Sequence, residues 1–272
     1  MINNLNWLWN SGLFLLGLCL GSFFNVVVYR TLEDEEWVNS RSKCEACGKK
    51  LRWFDNIPLV SFLLLKGKCR SCGQQISLIH PLVELATGLG LVLTSFFVLR
   101  FKIPTSPTFW LAFVFWSLVF LASWLIFLFD LKAMIIPDKL VWILTLLGLL
   151  KTTLELTSNL VSRHQFFLNL VVTAALVLFF LLLWFITDKK GFGLGDVKLA
   201  LPLGLILGYP SLIIGVFLAF IIGAIWGIIL IITNKRKFGQ VIPFGPFLIV
   251  GFWFSLIWGQ QLWHYYWYQL II

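Results

Sequence analysis

Two aspartates stand at the ends of long apolar segments of this sequence. Asp130 follows a run without charged residues, 103 to 129, and Asp196 follows the glycine-rich stretch Gly191 to Gly195. An ionised carboxylate is costly at the edge of an apolar segment, so each is a candidate functional residue. Two carboxylates that share a site cannot both ionise cheaply, so one keeps a proton that it can donate while the other accepts one. We therefore expect Asp130 and Asp196 to form the catalytic pair of an aspartic protease, with the base and the acid unassigned between them.

Asp138 is the alternative to Asp130 as the first catalytic aspartate. It follows Pro137 and fits the first turn of the next helix, where a carboxylate is stabilised for ordinary structural reasons. We prefer Asp130, which has no such local explanation. Each aspartate could instead pair with Lys132 or Lys198, but residues two apart point to different faces of a helix. The residues that we expect to support the site are Gly193, Gly195, Lys198 and Asp138.

Two cysteine pairs lie in the one substantial polar segment of the chain. Cys44 and Cys47 form the first pair, Cys69 and Cys72 form the second, and 21 residues separate the pairs. Four thiolates with this spacing predict a tetrahedral Zn²⁺ site, and four cysteine ligands leave no open position for catalysis. The alternatives are two disulfides or four free thiols. A cytosolic position of this loop disfavours disulfides. The fifth cysteine, Cys19, is predicted to lie in a membrane span.

The composition predicts an all-α polytopic membrane protein. The chain is 60% hydrophobic and 12% charged, whereas a soluble domain carries about twice that charge. Runs without charged residues extend over 5–29, 103–129, 164–187, 199–234 and 238–272, and a span needs about 20 apolar residues. A break at 208–211 and shorter apolar segments near 81–100 and 138–152 bring the prediction to about eight transmembrane helices. We expect a first transmembrane helix (1–30), a cytoplasmic zinc-stapled loop (31–80) and a transmembrane peptidase core (81–272).

The positions of the basic residues predict the orientation of the spans, because cytoplasmic loops carry an excess of Lys and Arg. Of the 21 basic residues, 17 lie in the first loop or at the junctions after the third, fifth and seventh spans. The other four are Arg100, Lys102, Lys151 and Arg163. We therefore expect the loop and both aspartates to face the cytoplasm and both termini to face outward. The membrane topology and attraction to anionic lipid account for most of the net charge of +9. A nucleic-acid partner is therefore not needed to explain it, and we expect none. The N-terminus lacks the basic region of a signal peptide, which predicts a retained first span.

Several polar or small residues within the spans have structural or functional interpretations. Gly17 and Gly21 are spaced for close helix packing, and Asn25 needs a hydrogen-bond partner on a neighbouring helix. Glu84 is predicted in the first turn of a helix that begins at Pro81, where the helix N-terminus would stabilise it. A role for Glu84 in binding a ligand remains open.

The segment from Trp53 to Phe62, between the cysteine pairs, combines aromatic residues, a proline and an apolar run. This composition is typical of a segment that lies along the membrane surface. Asp55 within it is predicted to be a turn or cap residue.

Taken in order, these motifs resemble those of the type IV prepilin peptidases, which are leader peptidases with a Gly-x-Gly-Asp active site in the bacterial inner membrane. The resemblance covers nearly the whole chain. Its motifs are Gly21 to Val27, the cysteine pairs around Trp53 to Pro58, Pro81 to Gly88, Asp130 with Pro137-Asp138, Gly193 to Lys198, and Pro243 to Phe247. The chain departs from the family pattern at Ile79-His80, where Arg-Tyr is frequent, and at Phe129, where an aliphatic residue is common.

The resemblance implies an activity and a set of site residues. The family cleaves the basic leader of type IV prepilins and type II secretion pseudopilins at the cytoplasmic face. Members with the cysteine-bearing loop also methylate the new N-terminal amine with S-adenosylmethionine. The catalytic aspartates carry over to Asp130 and Asp196. Separately from the resemblance, the cost of a charge at the membrane edge makes Glu84 our candidate cofactor-binding residue. The metal ligands carry over to Cys44, Cys47, Cys69 and Cys72.

Two other functions remain open at this point. The chain could be a peptidase alone, with the zinc loop as a substrate platform. It could also be a proton-coupled transporter, because intramembrane carboxylates on broken helices occur in transporters too.

Under the peptidase hypothesis, the acidic cluster Glu33 to Glu36 is a candidate contact for the basic leader.

Overall fold

The computed structural model describes residues 2–36, 41–44, 46–99, 107–187, 193–235 and 240–266. Gly191 and the basic residues Arg100, Lys102, Lys189, Lys190, Arg236 and Lys237, used above, lie outside these ranges. Across the described ranges the regular structure is helical, apart from two isolated bridges in the cysteine-bearing loop. The α-helices are α1 (Ile2–Leu32), α2 (Val60–Leu64), α3 (Ile79–Leu99), α4 (Pro107–Ala133), α5 (Asp138–Thr157), α6 (Arg163–Ile186), α7 (Leu194–Leu207), α8 (Ser211–Ile232) and α9 (Gly245–Tyr265).

Six of the described helices are long and apolar enough to cross a membrane: α1, α3, α4, α5, α6 and α8. Side chains such as Leu146, Phe167 and Ile228 are exposed on their surfaces, as expected of helices that contact lipid. The 14 residues of α7 span about 21 Å, which is less than the roughly 30 Å of the hydrocarbon core. The chain is therefore a multi-pass membrane protein, and the helical class predicted from composition is confirmed.

Helices α1 and α3 pack closely in the first of two compact units, which comprises residues 1–121. A Cβ atom on Gly17 would lie 2.6 Å from the Cα of Gly88, and one on Gly21 would lie 2.7 Å from the Cα of Glu84. Only glycine permits this approach, so the predicted helix packing is confirmed. Asn25 donates from Nδ2 to the backbone oxygen of His80 at 3.1 Å, which supplies the expected partner.

The start of α3 differs from the prediction. The helix begins at Ile79 rather than Pro81. Proline is tolerated in a first helical turn because the backbone N–H groups there have no partner within the helix. Glu84 consequently lies in the second turn, where Oε2 accepts the backbone N–H of Leu59 at 2.8 Å. The prediction that the helix N-terminus stabilises this carboxylate is therefore wrong. The hydrogen bond from Leu59 in the loop positions it instead.

The second unit, residues 122–272, is built around the short helix α7. It packs against α5, α6 and α9, and its residues are buried over most of its length. A helix buried on all sides is apolar all round, which is why α7 lacks an amphipathic pattern. A Cβ atom on Gly204 would lie 2.5 Å from Cγ2 of Thr173, so this glycine is what allows α6 to approach.

Aromatic rings fix the start of α9 in the same unit. The ring of Phe244 lies 4.9 Å from that of Phe220 on α8 and 6.1 Å from that of Phe180 on α6, measured between centroids. Phe180 is fully buried. This cluster holds the turn Pro243 to Pro246, from which α9 begins.

Candidate active site

Asp130 lies in the last turn of α4 and is buried. The helix ends at Ala133, and Met134 takes a left-handed backbone conformation with φ of 55°. Pro137 then occupies the N-cap position of α5. The chain thus leaves the helix within one turn after Asp130, as the proline predicts, and places the carboxylate near an interruption between two helices.

Asp196 occupies the third position of α7 and is also buried. The backbone N–H of Gly193, the N-cap residue, donates to its Oδ2 at 3.3 Å. The side chain therefore folds back over the start of its own helix, where the free backbone N–H groups favour a carboxylate.

Gly245, the first residue of α9, lies directly against Asp130. A Cβ atom on this glycine would be 2.6 Å from Oδ2 of Asp130, and the glycine N–H interacts with the carboxylate. Oδ2 is buried and has no hydrogen-bond partner among the residues that the structure describes. Gly245 is not among the site residues expected from sequence. The available signal was its place in the motif Pro243 to Phe247, where two prolines bracket the turn.

Ile136 connects the surroundings of the two aspartates. A Cβ atom on Gly195 would lie 3.0 Å from the Cβ of Ile136, and one on Gly245 would lie 3.3 Å from its Cδ1. A side chain at either position would crowd Ile136. The two carboxylates are close enough to interact electrostatically, although they come from different helices. The structure thus brings Asp130 and Asp196 to one place.

Lys198 and Asp138 form an ion pair beside the aspartates, with 2.7 Å between Nζ and Oδ1. Both side chains are exposed, and the pair joins the second turn of α7 to the first residue of α5. Lys198 therefore pairs with Asp138 rather than with Asp196, the partner considered from sequence. Asp138 lies on the surface at the first residue of α5, whereas Asp130 is buried.

The four loop cysteines lie on two turns of the same design. In each turn, the N–H of the residue after the second cysteine donates to the carbonyl of the first, at 2.9 Å for Gly48 to Cys44 and for Gly73 to Cys69. Both glycines have positive φ, 67° and 71°, which L side chains rarely adopt. The two pairs therefore present their sulfurs in equivalent ways.

The sulfur positions fit a tetrahedral metal site. All four Sγ atoms lie within 4.8 Å of one another, and those of Cys44 and Cys72 are 3.9 Å apart. Four sulfurs around Zn²⁺ at about 2.3 Å would be about 3.8 Å apart. The backbone N–H groups of Cys72 and Ser71 lower the pKa of the Cys69 thiol to about 6. At neighbouring Cys72 the N–H of Gln74 favours the thiolate, but burial and the other sulfurs together raise its pKa to about 11. The cluster thus favours one thiolate before any metal binds.

The segment between the cysteine pairs is tied to the second turn. Asp55 accepts the backbone N–H of Arg52 at 3.2 Å, as predicted for a cap residue, and the Nε of Arg70 at 2.9 Å. The guanidinium of Arg70 also lies 5.1 Å from the ring centre of Phe54. Several large apolar side chains of this segment are exposed: Trp53, Val60, Leu63 and Leu64. Its position at the membrane surface stays a prediction.

The acidic cluster after α1 is partly engaged. Glu35 pairs with Lys43 at 2.7 Å, and this partner lowers the pKa of the glutamate. The backbone oxygen of Glu36 accepts a hydrogen bond from Arg30 at 3.2 Å. Glu33 and Asp34 lie where α1 ends.

Comparisons with known proteins agree along nearly the whole chain. The family model of the Bacterial Peptidase A24 N-terminal domain matches residues 15–99, and that of the Type IV leader peptidase family matches residues 117–228. A Prepilin leader peptidase/N-methyltransferase of Aeromonas salmonicida is 34% identical, over 98% of this chain and 96% of that protein. Proteins of the same name from Pseudomonas aeruginosa and Dichelobacter nodosus are 34% and 32% identical. They cover 91% and 92% of this chain and 90% and 93% of their own lengths.

No solved structure matches the chain. The family models nevertheless cover both the cysteine-bearing loop and the two aspartates. The identity to the relatives extends over nearly their full lengths. The chain therefore belongs to the type IV leader peptidase family.

Proposed function

We propose that this chain removes the leader peptide of type IV prepilins and of type II secretion pseudopilins and then methylates the new N-terminal amine. The observation that carries the proposal is the pair of buried carboxylates, Asp130 and Asp196, which α4 and α7 bring within electrostatic reach of each other. Relatives over nearly the whole chain are named Prepilin leader peptidase/N-methyltransferase. Both halves of that name have a candidate site in this chain.

The carboxylate pair would cleave the leader by activating water. The ionised carboxylate removes a proton from water as the water oxygen attacks the carbonyl carbon of the scissile peptide bond. The protonated carboxylate donates its proton to the carbonyl oxygen. When the tetrahedral intermediate collapses, the first carboxylate returns its proton to the leaving amine and the carbonyl oxygen returns its own to the second. The pair thereby regains its starting state.

The surroundings of Asp130 suit this chemistry. Its Oδ2 is enclosed by the backbone of Gly245 without a hydrogen bond from the residues that the structure describes. A buried carboxylate oxygen without a partner costs free energy, and such atoms are found at functional sites more often than elsewhere. Asp138 lacks this environment because it is exposed and paired with Lys198. We therefore keep Asp130 as the first catalytic aspartate.

The loop would hold Zn²⁺ through Cys44, Cys47, Cys69 and Cys72. Four thiolate ligands leave no open coordination position, so this ion would stabilise the loop and take no part in hydrolysis. For the second activity, S-adenosylmethionine would supply an electrophilic methyl group on a sulfonium sulfur.

The orientation of the chain is part of the proposal. The excess of basic residues in the first loop and beside the aspartates supports a cytoplasmic position of these regions at the bacterial inner membrane, with both termini in the periplasm. A basic leader would approach from that side. Glu33, Asp34, Glu35 and Glu36 remain candidate contacts for it, and Glu35 also pairs with Lys43. Reversal of these four charges should weaken leader cleavage, and unchanged turnover would argue against the contact.

The test is product analysis with purified protein. A prepilin is incubated with the protein, with and without S-adenosylmethionine, and the products are weighed by mass spectrometry. We expect loss of the leader in both samples and a further gain of about 14 Da on the mature product only with the donor, the mass of one methyl group. Cleavage without this gain would leave a peptidase alone. An intact prepilin would contradict the proposal, and substrate flux in its place would indicate a transporter.

A further inference from the structure

A cavity of about 1370 Å³ lies in the first unit, which does not contain the two aspartates. Helix α1, the cysteine-bearing loop and the start of α3 form its walls. Pockets for small ligands commonly measure about 300–1,000 Å³, so there is room for a nucleoside-sized ligand beside the end of a peptide. Its lining includes Ser22, Tyr29, Arg30, Phe62 and Glu84.

Glu84 brings a carboxylate to this cavity from α3. The residue is 8% exposed, and its hydrogen-bond donors are the backbone N–H of Leu59 and the hydroxyl of Ser22. Both donors are neutral, and His80, one turn earlier, is near enough to interact electrostatically. A carboxylate held out of water with neutral donors is stabilised further by a cation. The contact with Leu59 also shows that the loop shapes the surroundings of this carboxylate.

The cavity also carries groups that complement this carboxylate. Arg30 lies on the last turn of α1, is buried and lines the cavity. Its guanidinium has the geometry for a carboxylate ligand. The rings of Tyr29 and Phe62 line the same cavity and offer surfaces against which a heteroaromatic base can pack. The cavity thus combines a carboxylate, a guanidinium and aromatic rings within one unit.

We propose that this cavity is the binding site of the methyl donor S-adenosylmethionine, with the carboxylate of Glu84 facing the cationic end of the donor. The sulfonium and ammonium of the donor match the carboxylate of Glu84, and its carboxylate matches the guanidinium of Arg30. Its adenine ring matches the aromatic rings of the cavity. The inference rests on the proposed methyltransferase function and assigns it a place.

The position of the metal cluster supports this assignment. Cys44 and Cys69, one from each pair, line the cavity. A loop held by the four cysteines would therefore form one wall of the donor site without contributing to the chemistry.

Calorimetric titration of the purified full-length protein with S-adenosylmethionine tests the proposal directly. Glu84→Gln keeps an oxygen for the N–H of Leu59 but removes the charge. We expect it to weaken donor binding by at least about tenfold, as is typical for loss of a charged hydrogen-bond partner. The matched control is Glu155→Gln, which removes a glutamate paired with Lys151 on α5 in the other unit. Its donor affinity should equal that of the unmodified protein.

A second measurement needs no variant. The exposed thiol of Cys19 also lines the cavity, so bound donor should slow its alkylation by N-ethylmaleimide, read by peptide mass. Equal donor affinity of Glu84→Gln and the unmodified protein, or unprotected Cys19, would overturn the inference while leaving methylation of prepilin intact. Absence of both donor binding and methylation in the unmodified protein would overturn the methyltransferase function together with it.

Discussion

The carboxylate of Asp130 is positioned by a backbone rather than by a polar side chain. Gly245 lies so close that an added Cβ atom would be 2.6 Å from Oδ2, well inside van der Waals contact. The carboxylate cannot move toward α9, and a side chain at 245 would push it away. At the scale of single residues, the geometry of the proposed site therefore depends on a glycine as much as on the two acids.

Gly245→Ala should impair leader cleavage through this contact. A displacement of about 1 Å of a catalytic group can cost roughly 10²-fold in rate, and we expect a loss of that order. The measurement is kcat with a prepilin substrate. Gly227→Ala on α8 is the matched control, because its nearest neighbouring atom would be 3.7 Å away. Equal rates for the two variants would show that the contact with Asp130 has no catalytic consequence.

The sequence pointed to the aspartates but not to this glycine. A carboxylate beside a long apolar run is conspicuous by residue type alone, because its burial is costly. The importance of Gly245 arises from the approach of α9 to α4, which depends on packing distant in sequence. Likewise, the partner of Lys198 is Asp138, 60 positions earlier, and no local spacing rule could identify it.

At the scale of helices, the contact between α1 and α3 depends on Gly21. Its added Cβ would lie 2.7 Å from the Cα of Glu84, and a backbone atom cannot move aside cheaply. Gly21→Ala should lower the free energy of unfolding by about 1–3 kcal/mol, as overpacking commonly does. Thermal unfolding in detergent measures the change. The control is Gly12→Ala on the same helix, where an added Cβ meets no atom within 4 Å. A destabilisation equal to that of the control would contradict the close packing.

The cysteine-bearing loop should lose its metal when one ligand is removed. Cys69→Ser replaces a thiol whose pKa the backbone lowers to about 6 with a hydroxyl that is a poor zinc ligand. Atomic absorption should find about one zinc ion per unmodified chain and little in the variant. Cys19→Ser provides the control, because Cys19 stands outside the cluster on α1. A variant at Cys69 that retained its full zinc content would argue against the four-cysteine site.

Spacing predicted the cysteine cluster, the break between α4 and α5 and the close contact of α1 with α3. Pro137 ends α4 locally, and glycine spacing reports helix contact without knowledge of the partner. The start of α3 was placed two residues late, because the first helical turn accepts Pro81 without loss of a hydrogen bond. The partner of Glu84 was also missed, because Leu59 reaches it from the loop.

At the scale of the whole molecule, the charge distribution predicts which side of the membrane each loop faces. Asn159→Cys places a thiol in the loop between α5 and α6, and Lys235→Cys places one after α8; both positions are exposed. A membrane-impermeant maleimide should label the first in intact cells and the second only after permeabilisation, because basic loops stay in the cytoplasm. The reverse pattern would put the aspartates on the outer side and contradict the proposed access of the leader.

Composition was sufficient to predict a helical membrane protein, whereas the orientation that charge asymmetry indicates stays a prediction. The number of spans was harder, since α7 is shorter than the bilayer core yet apolar on all sides. Its apolar character comes from burial among α5, α6 and α9, which hydropathy cannot distinguish from contact with lipid.

In the proposed mechanism Asp130 and Asp196 act as one catalytic unit, and a double-mutant cycle on leader cleavage measures whether they do. Asp130→Asn and Asp196→Asn should each lower kcat by roughly 10²- to 10⁴-fold, with zinc content and thermal unfolding unchanged. Because groups that act together are not additive, the double variant should be about as slow as the slower single variant. Losses that multiply in the double variant, or a folded single variant that still cleaves at the unmodified rate, would contradict the account.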